Sequence, residues 1–110
     1  MNPRLVIILE VLHSHYGREQ AISAPAIEKL TGIPERTIRR DLEQAYADGI
    51  LEDLQMPAVG LCGIGFFLAN HVDDFQEAYD SAFRMQRALE RKISGIKRLC
   101  RATLGIHLHK

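Results

Sequence analysis

Apolar residues recur at helical spacing near the start of the chain. Four of them are three, one and three positions apart, which places them on one face of a helix: Leu5, Ile8, Leu9 and Leu12. Asn2 is a residue type that caps helices, and Pro3 suits the first helical position. The pattern therefore predicts a first helix that begins at Pro3.

Two short helices joined by a tight turn are predicted next. In the first, Ser23 is the expected N-cap, and Ile27 and Leu30 are expected to face the core. Gly32 should end this helix, and Pro34 should start the second almost at once. The second helix has an apolar side and a glycine stop, formed by Ile38, Leu42, Ala45 and Gly49. Two helices with a glycine-containing turn between them are typical of a helix-turn-helix.

The periodicity changes after this pair of helices. Proline and glycine interrupt the chain repeatedly, at Pro57, Gly60, Gly63 and Gly65. The short segments 50–54 and 64–69 lie on either side, which predicts two strands. We therefore expect a β-hairpin whose loose tip is the segment QMPAVGLCG.

The last part of the chain shows the most regular pattern. Asn70, with Asp73 three positions later, resembles a capping box, and a long helix is predicted from there to about Thr103. Its apolar positions alternate four and three residues apart, as in a coiled-coil seam: Phe75, Tyr79, Ala82, Gln86, Leu89, Ile93, Ile96 and Cys100. A helix of about thirty residues spans roughly 45 Å, which favours self-association along this seam. The alternative is packing against the first helix.

Charge is segregated along the chain although its formal net value is zero. Arg36, Arg39 and Arg40 form a short basic cluster. Residues 41–80 contain nine acidic side chains and no Lys or Arg, and residues 81–110 contain eight basic side chains and one acidic. A neutral total is compatible with nucleic-acid binding, because a local basic face is what meets phosphate.

The segment GIPERTIRRDLEQAYADGIL resembles the turn and recognition helix of DeoR-like and related bacterial winged helix-turn-helix regulators. The matching residues are Gly32, Ile33, Thr37, Ile38, Arg39, Arg40, Asp41 and Leu42. The segment GIGFFLA resembles the strand that closes the wing in such domains, and short phage and prophage regulators show a similar organisation. Two features differ: Pro34 stands where these proteins usually have a capping Ser, and the expected wing tip has no Lys or Arg. This wing is not expected to contact DNA.

The resemblance implies that the second helix of the pair reads DNA. Arg36, Thr37, Arg39 and Arg40 would contact base edges or phosphates, and Glu35 would accept a hydrogen bond from cytosine. The alternative for the arginines is a solvated helix face. The basic residues that flank the seam would either meet phosphate or solubilise the helix: Arg84, Arg87, Arg91, Lys92, Lys97, Arg98 and Arg101.

Several other functions are not expected from this sequence. It contains no nucleophile elbow, phosphate loop, HExxH motif or paired carboxylates suited to a cleft, so no enzymatic activity, cofactor or metal site is predicted. Cys62 and Cys100 are expected to be reduced and largely buried. Glu10 breaks the apolar start of the chain, which argues against a signal peptide, and we expect a cytoplasmic protein without a membrane partner.

The predicted fold class is mainly α with a small β-hairpin, a winged helix-turn-helix followed by a long C-terminal helix. Residues 1–70 would form the DNA-binding domain, residues 71–104 the self-association helix and residues 105–110 a tail. The predicted function is sequence-specific binding of double-stranded DNA by a homodimer that regulates transcription in a bacterium or phage, with no small-molecule effector evident. The alternatives are a winged-helix protein-interaction adaptor and a DNA-processing accessory factor for replication, packaging or excision.

Overall fold

Five α-helices, a short 3₁₀-helix (Arg18–Gln20) and one hairpin make up the fold, as seen in a computed structural model that describes residues 2–108. In chain order the α-helices and strands are α1 (Pro3–Leu12), α2 (Ala24–Thr31), α3 (Glu35–Ala47), α4 (Ile50–Asp53), β1 (Ala58–Leu61), β2 (Gly65–Leu68) and α5 (Val72–Leu104). The chain is mainly helical, and its two strands are antiparallel. This confirms the predicted mainly helical class with one small hairpin and a long C-terminal helix. Two compact units are present, Met1–Ala78 and Tyr79–Lys110.

The first helix begins where the sequence predicts. The Asn2 side chain accepts a hydrogen bond of 2.9 Å from the backbone N–H of Arg4, and Pro3 occupies the first turn, where its missing N–H costs nothing. All four predicted apolar residues are buried: Leu5, Ile8, Leu9 and Leu12. These residues anchor the main core of the first unit.

The second and third helices complete that core. Ile27 of α2 and Ile38 of α3 are fully buried and pack with the apolar face of α1. The prediction that Leu30 faces inward is wrong, because Leu30 is 69% exposed. In α2 the inward side runs through Ala24, Ile27 and the half-buried Thr31, and Leu30 lies to one side of that line.

The predicted strand over residues 50–54 is wrong, because this segment forms the short helix α4. The carbonyl of Gly49 accepts from the Asp53 N–H at 3.1 Å, and that of Ile50 accepts from the Leu54 N–H at 3.0 Å. Leu51 is buried and Ile50 is half-buried. A segment of only five residues fits a strand or one helical turn equally well, so its periodicity does not decide between them.

The first strand lies instead in the segment predicted as the hairpin tip. Ala58 pairs with Leu68 and Leu61 pairs with Gly65, leaving a three-residue turn at positions 62–64. Gly63 has a φ of 79°, as three-residue hairpin turns require of one residue. Both faces of the hairpin are covered: Leu68 packs into the main core, and Phe67 packs into a second cluster with Val59. A strand buried on both faces lacks the apolar-polar alternation that identifies strands in sequences.

The second strand is bonded along both of its edges. On the edge away from β1, the backbone groups of Phe66 and Ile22 exchange two hydrogen bonds of 2.8 Å. Gly65 allows this approach, because a Cβ atom at that position would lie 2.5 Å from the Ile22 carbonyl oxygen. The glycines here therefore mark close packing of the strand rather than a loose loop.

The long helix begins at Val72, so its cap position is His71, one residue after the predicted cap Asn70. His71 is the residue before α5, and its Nδ1 atom lies 3.1 Å from the Asp73 N–H. The carboxylate of Asp74 accepts from the Asn70 N–H at 3.1 Å. The predicted capping box between Asn70 and Asp73 is wrong, because the two hydrogen bonds join His71 to Asp73 and Asn70 to Asp74 instead of one reciprocal pair. The helix ends at Leu104, close to the predicted end.

Candidate nucleic-acid interface

The turn between α2 and α3 has a fixed geometry. Gly32 adopts the left-handed conformation, with a φ of 76°, and ends α2. The Thr31 hydroxyl donates to the Ile27 carbonyl at 2.8 Å and accepts from the Ile33 N–H at 3.1 Å. Ile33 is buried in the main core. These contacts hold the turn from both ends and set the direction in which α3 starts.

The start of α3 is capped by a side chain from α2. Pro34 makes no side-chain cap, as the sequence indicates. The Glu28 carboxylate instead accepts a hydrogen bond of 2.7 Å from the backbone N–H of Glu35. A carboxylate at a helix N-terminus satisfies a free donor and interacts favourably with the helix dipole. Glu28 therefore couples the two helices at the turn, a role that no local sequence signal indicated.

Apolar packing and an ion pair both hold the inner side of α3 in place. Ile38 and Leu42 are buried in the core. Asp41 is also buried, at 7% exposure, and its carboxylate accepts from the Arg4 side chain of α1, with Nε to Oδ2 at 3.0 Å and Nη2 to Oδ1 at 3.3 Å. The side-chain hydrogen bonds to Asp41, and its negative charge, raise the pKa of Arg4 above its ordinary value. Rotation of α3 about its axis would break these contacts.

The outer side of α3 presents the predicted DNA-contacting residues. Arg36 and Arg40 are exposed and lie one turn apart, on the side opposite Ile38. Within residues 2–108 neither side chain forms an ion pair or a hydrogen bond. Arg39 differs, since its Nη2 atom lies 2.9 Å from the Glu35 carboxylate.

The other predicted contacts lie beside this pair of arginines. Glu35 and Thr37 are half-buried and flank the first turn of α3. Arg39 contacts only the Oε1 atom of the Glu35 carboxylate, so the second oxygen can accept a hydrogen bond from a base. The geometry thus brings all five predicted residues onto the N-terminal half of one helix, with Arg36 and Arg40 as its unpaired cations.

Tyr46 ties the far end of α3 to the hairpin. Its hydroxyl donates to the backbone carbonyl of Ala58 at the start of β1. Tyr46 as a whole is 48% exposed, but the partial burial of its side chain raises the pKa of Tyr46 to about 12. The first unit also contains an apolar cavity of about 360 Å³ beside this tyrosine, lined in part by Leu51, Met56 and Phe75.

The hairpin turn supplies no cation. The turn residues are Cys62, Gly63 and Ile64, none of which can bind phosphate through a positive charge. Cys62 is exposed and Cys100 is half-exposed, and both are free thiols. The expectation that both cysteines are largely buried is therefore wrong for Cys62, which lies in the hairpin turn.

The seam of α5 is accessible to solvent along its length. No residue of α5 is buried, and the large apolar side chains of the seam are about half exposed or more: Phe75, Tyr79, Leu89, Ile93 and Ile96. On the other side of this helix, exposed arginines form a row that includes Arg87, Arg91 and Arg98. These three arginines thus lie on the side of α5 away from the seam.

Comparisons of the chain with known protein families, with curated proteins and with solved structures found no match. Among residues 2–108, none of the helices combines the length and the apolar character needed to cross a bilayer. Nor does this part of the chain bring three His, Cys, Asp or Glu side chains together in a group suited to a metal ion.

Proposed function

We propose that this protein is a sequence-specific DNA-binding regulator of the winged helix-turn-helix type that acts as a homodimer. In this proposal α3 enters the major groove with its N-terminal half. Arg36 and Arg40 contact guanine edges or phosphates, and Thr37 and Arg39 contact the adjacent backbone or bases. The hairpin stabilises the first unit and does not contact DNA.

One observation carries this proposal. Arg36 and Arg40 are exposed, unpaired within the described chain and one turn apart on a helix. The same helix is fixed by Glu28 at its start and by the Arg4–Asp41 pair on its inner side. Rigid support of this kind is what a reading helix needs, because base recognition depends on placing each side chain within a fraction of an ångström.

The seam of α5 supports the homodimer. Two copies that pair through it would present two reading helices, as regulators that recognise paired half-sites do. A contiguous exposed apolar row is unfavourable in a monomer and is typical of an interaction surface.

Selection from a random-sequence pool of duplex DNA, repeated over a series of salt concentrations, tests the proposal. We expect enrichment of a common short sequence and an affinity that falls as salt rises. Binding with a steep salt dependence but without enrichment would contradict sequence-specific regulation and indicate an accessory factor. Failure to bind any duplex at low salt would contradict DNA binding altogether and indicate the protein-interaction adaptor.

A further inference from the structure

Every arginine of α5 falls on one side of that helix. Successive arginines are three, four, seven and three positions apart, so at about 100° per residue they lie within an arc of about 100°: Arg84, Arg87, Arg91, Arg98 and Arg101. We call these five residues the arginine row. All of them are exposed, and three of them line one surface depression. From its first to its last member the row advances seventeen positions, roughly 25 Å along the helix.

The described chain does not neutralise the arginine row. Among residues 2–108 none of its five side chains forms an ion pair or a hydrogen bond. Glu90 is the one acidic residue at positions 81–104, and its carboxylate accepts a hydrogen bond of 3.5 Å from Gln86. Like charges three or four positions apart destabilise a helix. The row is therefore unfavourable in the isolated chain, and an anionic partner would relieve this repulsion.

The row consists of arginine alone, and both lysines of α5 lie elsewhere. At about 100° per residue, Lys92 and Lys97 point roughly 120° and 100° away from the centre of the row. Arginine presents a planar fork of N–H donors that bonds two oxygens of a phosphate or carboxylate at once, whereas lysine is a compact, strongly hydrated charge. A face that only solubilises the helix does not require this fork. The composition of the row therefore favours recognition of an oxyanion.

The length of the row indicates a partner with many phosphates. Each strand of duplex DNA carries one phosphate for every 3.4 Å of its axis, so a row of roughly 25 Å lies beside about seven phosphates of one strand. An anionic membrane also offers many phosphates, but a helix that lies in its surface turns its apolar face into the lipid. The row lies away from the apolar seam and would then point into water. Duplex DNA is thus the better partner.

Acidic residues limit the surface at one end. Before the row begins, the same side of α5 carries Asp73, Glu77 and Asp80, and Glu77 is paired with Arg18 of the first unit. Carboxylates at these positions would repel phosphate. The surface that could meet a polyanion is therefore confined to positions 84–101.

We propose that the arginine row of α5 binds the phosphate backbone of duplex DNA. This inference rests on the proposed function, which requires a duplex, and it adds a contact surface outside α3. Phosphate contacts strengthen binding to every sequence, whereas base contacts distinguish between sequences. The row thus contributes affinity and salt dependence, and α3 contributes sequence preference. Because the row lies away from the seam, pairing of two copies through the seam leaves it accessible.

Two charge-matched double variants of the full chain test the row. Arg87→Gln, Arg98→Gln removes two charges from the row, and Lys92→Gln, Lys97→Gln removes two charges beside it. Fluorescence anisotropy over a series of salt concentrations gives Kd for the selected duplex and for an unrelated duplex of equal length. Each lost phosphate contact lowers the slope of log affinity against log salt by about 0.9. We expect the row variant to lose about 2 from this slope for each row that binds, and the lysine variant to lose less than about 0.5.

Two further readouts belong to the same experiment. The row variant should bind both duplexes more weakly by the same factor, within about twofold, because phosphate contacts carry no sequence information. Its thermal midpoint, followed by circular dichroism, should be no lower than that of the unmodified protein, since the row has no partner within the described chain to lose. A lower midpoint would show that the arginines are already engaged within the protein and would overturn the inference.

The remaining outcomes separate this inference from the proposed function. An unchanged slope in the row variant, or equal losses in the two variants, would overturn the row as a binding surface and leave sequence-specific binding by α3 intact. Failure of the unmodified protein to bind any duplex at low salt would overturn both. If it then bound vesicles of phosphatidylserine and phosphatidylcholine, the row would be assigned to anionic lipid instead of DNA.

Discussion

Arg4 of α1 donates two hydrogen bonds to the buried carboxylate of Asp41 on α3, across 37 positions of sequence. Asp41 directly follows Arg40, yet the two side chains lie on different sides of the helix. Asp41 is directed to the core side, where it meets Arg4, and Arg40 is exposed. The pair thus fixes the rotation of α3 and determines which arginines face solvent.

Loss of this carboxylate should destabilise the fold. We expect Asp41→Ala to lower the free energy of unfolding by about 1.5–3 kcal/mol, the usual contribution of hydrogen bonds to a charged group. Urea denaturation followed by circular dichroism measures the change. Glu43→Ala, an exposed acidic position on the same helix, is the matched control and should change stability by no more than about 0.5 kcal/mol. Equal effects at the two positions would show that the Arg4 contact has no role in stability.

The cap that Glu28 provides should affect α3 selectively. We expect Glu28→Ala to cost about 1 kcal/mol, the typical value of a lost N-terminal cap, while Glu28→Gln keeps an acceptor and costs less. Amide hydrogen exchange should become faster in the first turn of α3 and stay unchanged in α1. Lys29→Ala, the exposed neighbour on α2, serves as control. Unchanged exchange at Glu35 in the Glu28→Ala variant would rule out this capping role.

Two glycines of the hairpin should differ in their tolerance of alanine. Both have positive φ, 79° at Gly63 and 119° at Gly65, but only Gly65 faces a backbone atom, the Ile22 carbonyl oxygen. We expect Gly63→Ala to cost about 1–2 kcal/mol from its conformation alone. Gly65→Ala should cost more, because the strand must also move away from Ile22. Thermal unfolding of both variants checks this order, and similar midpoints would show that the close approach of Gly65 to Ile22 does not limit the residue at this position.

The desolvated hydroxyl of Tyr46 predicts a loss of stability at alkaline pH. Its pKa of about 12 in the folded protein lies above the ordinary value of 10.0, so the folded state holds this proton more tightly than the unfolded state. The contribution of this group to the free energy of unfolding should therefore be fully present below pH 10 and be lost as pH rises from 10 towards 12. Comparison of Tyr46→Phe with the unmodified protein isolates this contribution from Tyr16 and Tyr79. If both proteins lose stability equally over that range, the Tyr46 hydroxyl is not the cause.

The helical part of the first unit could be predicted because its signals are local. Asn2 and Ser23 cap the helices that they were expected to cap, and Ile38 and Leu42 lie on the buried side that their spacing indicates. Leu30 shows the limit of this approach. Its spacing fits an apolar face, but which side of a short helix is buried depends on the elements that pack against it.

The hairpin and the support of α3 depend on contacts between distant residues. The segment 50–54 is too short for its periodicity to distinguish a helix from a strand. The strand β1 lacks the alternation of apolar and polar residues, because both of its faces are covered. Glu28 of α2 and Arg4 of α1 form hydrogen bonds to residues of α3, and Tyr46 of α3 forms one to the hairpin. Only the folded chain brings their partners together, so no spacing rule indicates them. The five candidate DNA-contacting residues, by contrast, share one helix, and their placement on its N-terminal half follows from the sequence.

The most direct test of the central claim compares DNA binding by two charge-matched double variants. Arg36→Ala, Arg40→Ala removes the unpaired cations of α3, and Arg84→Ala, Arg91→Ala removes two exposed cations of α5. Fluorescence anisotropy with the selected duplex gives Kd for each variant and for the unmodified protein at fixed salt. A base-contacting arginine contributes about 1–3 kcal/mol, so the α3 variant should bind at least about tenfold more weakly and lose its preference for the selected sequence, while the α5 variant keeps that preference. Retention of affinity and sequence preference by the α3 variant would contradict the claim that this helix reads DNA.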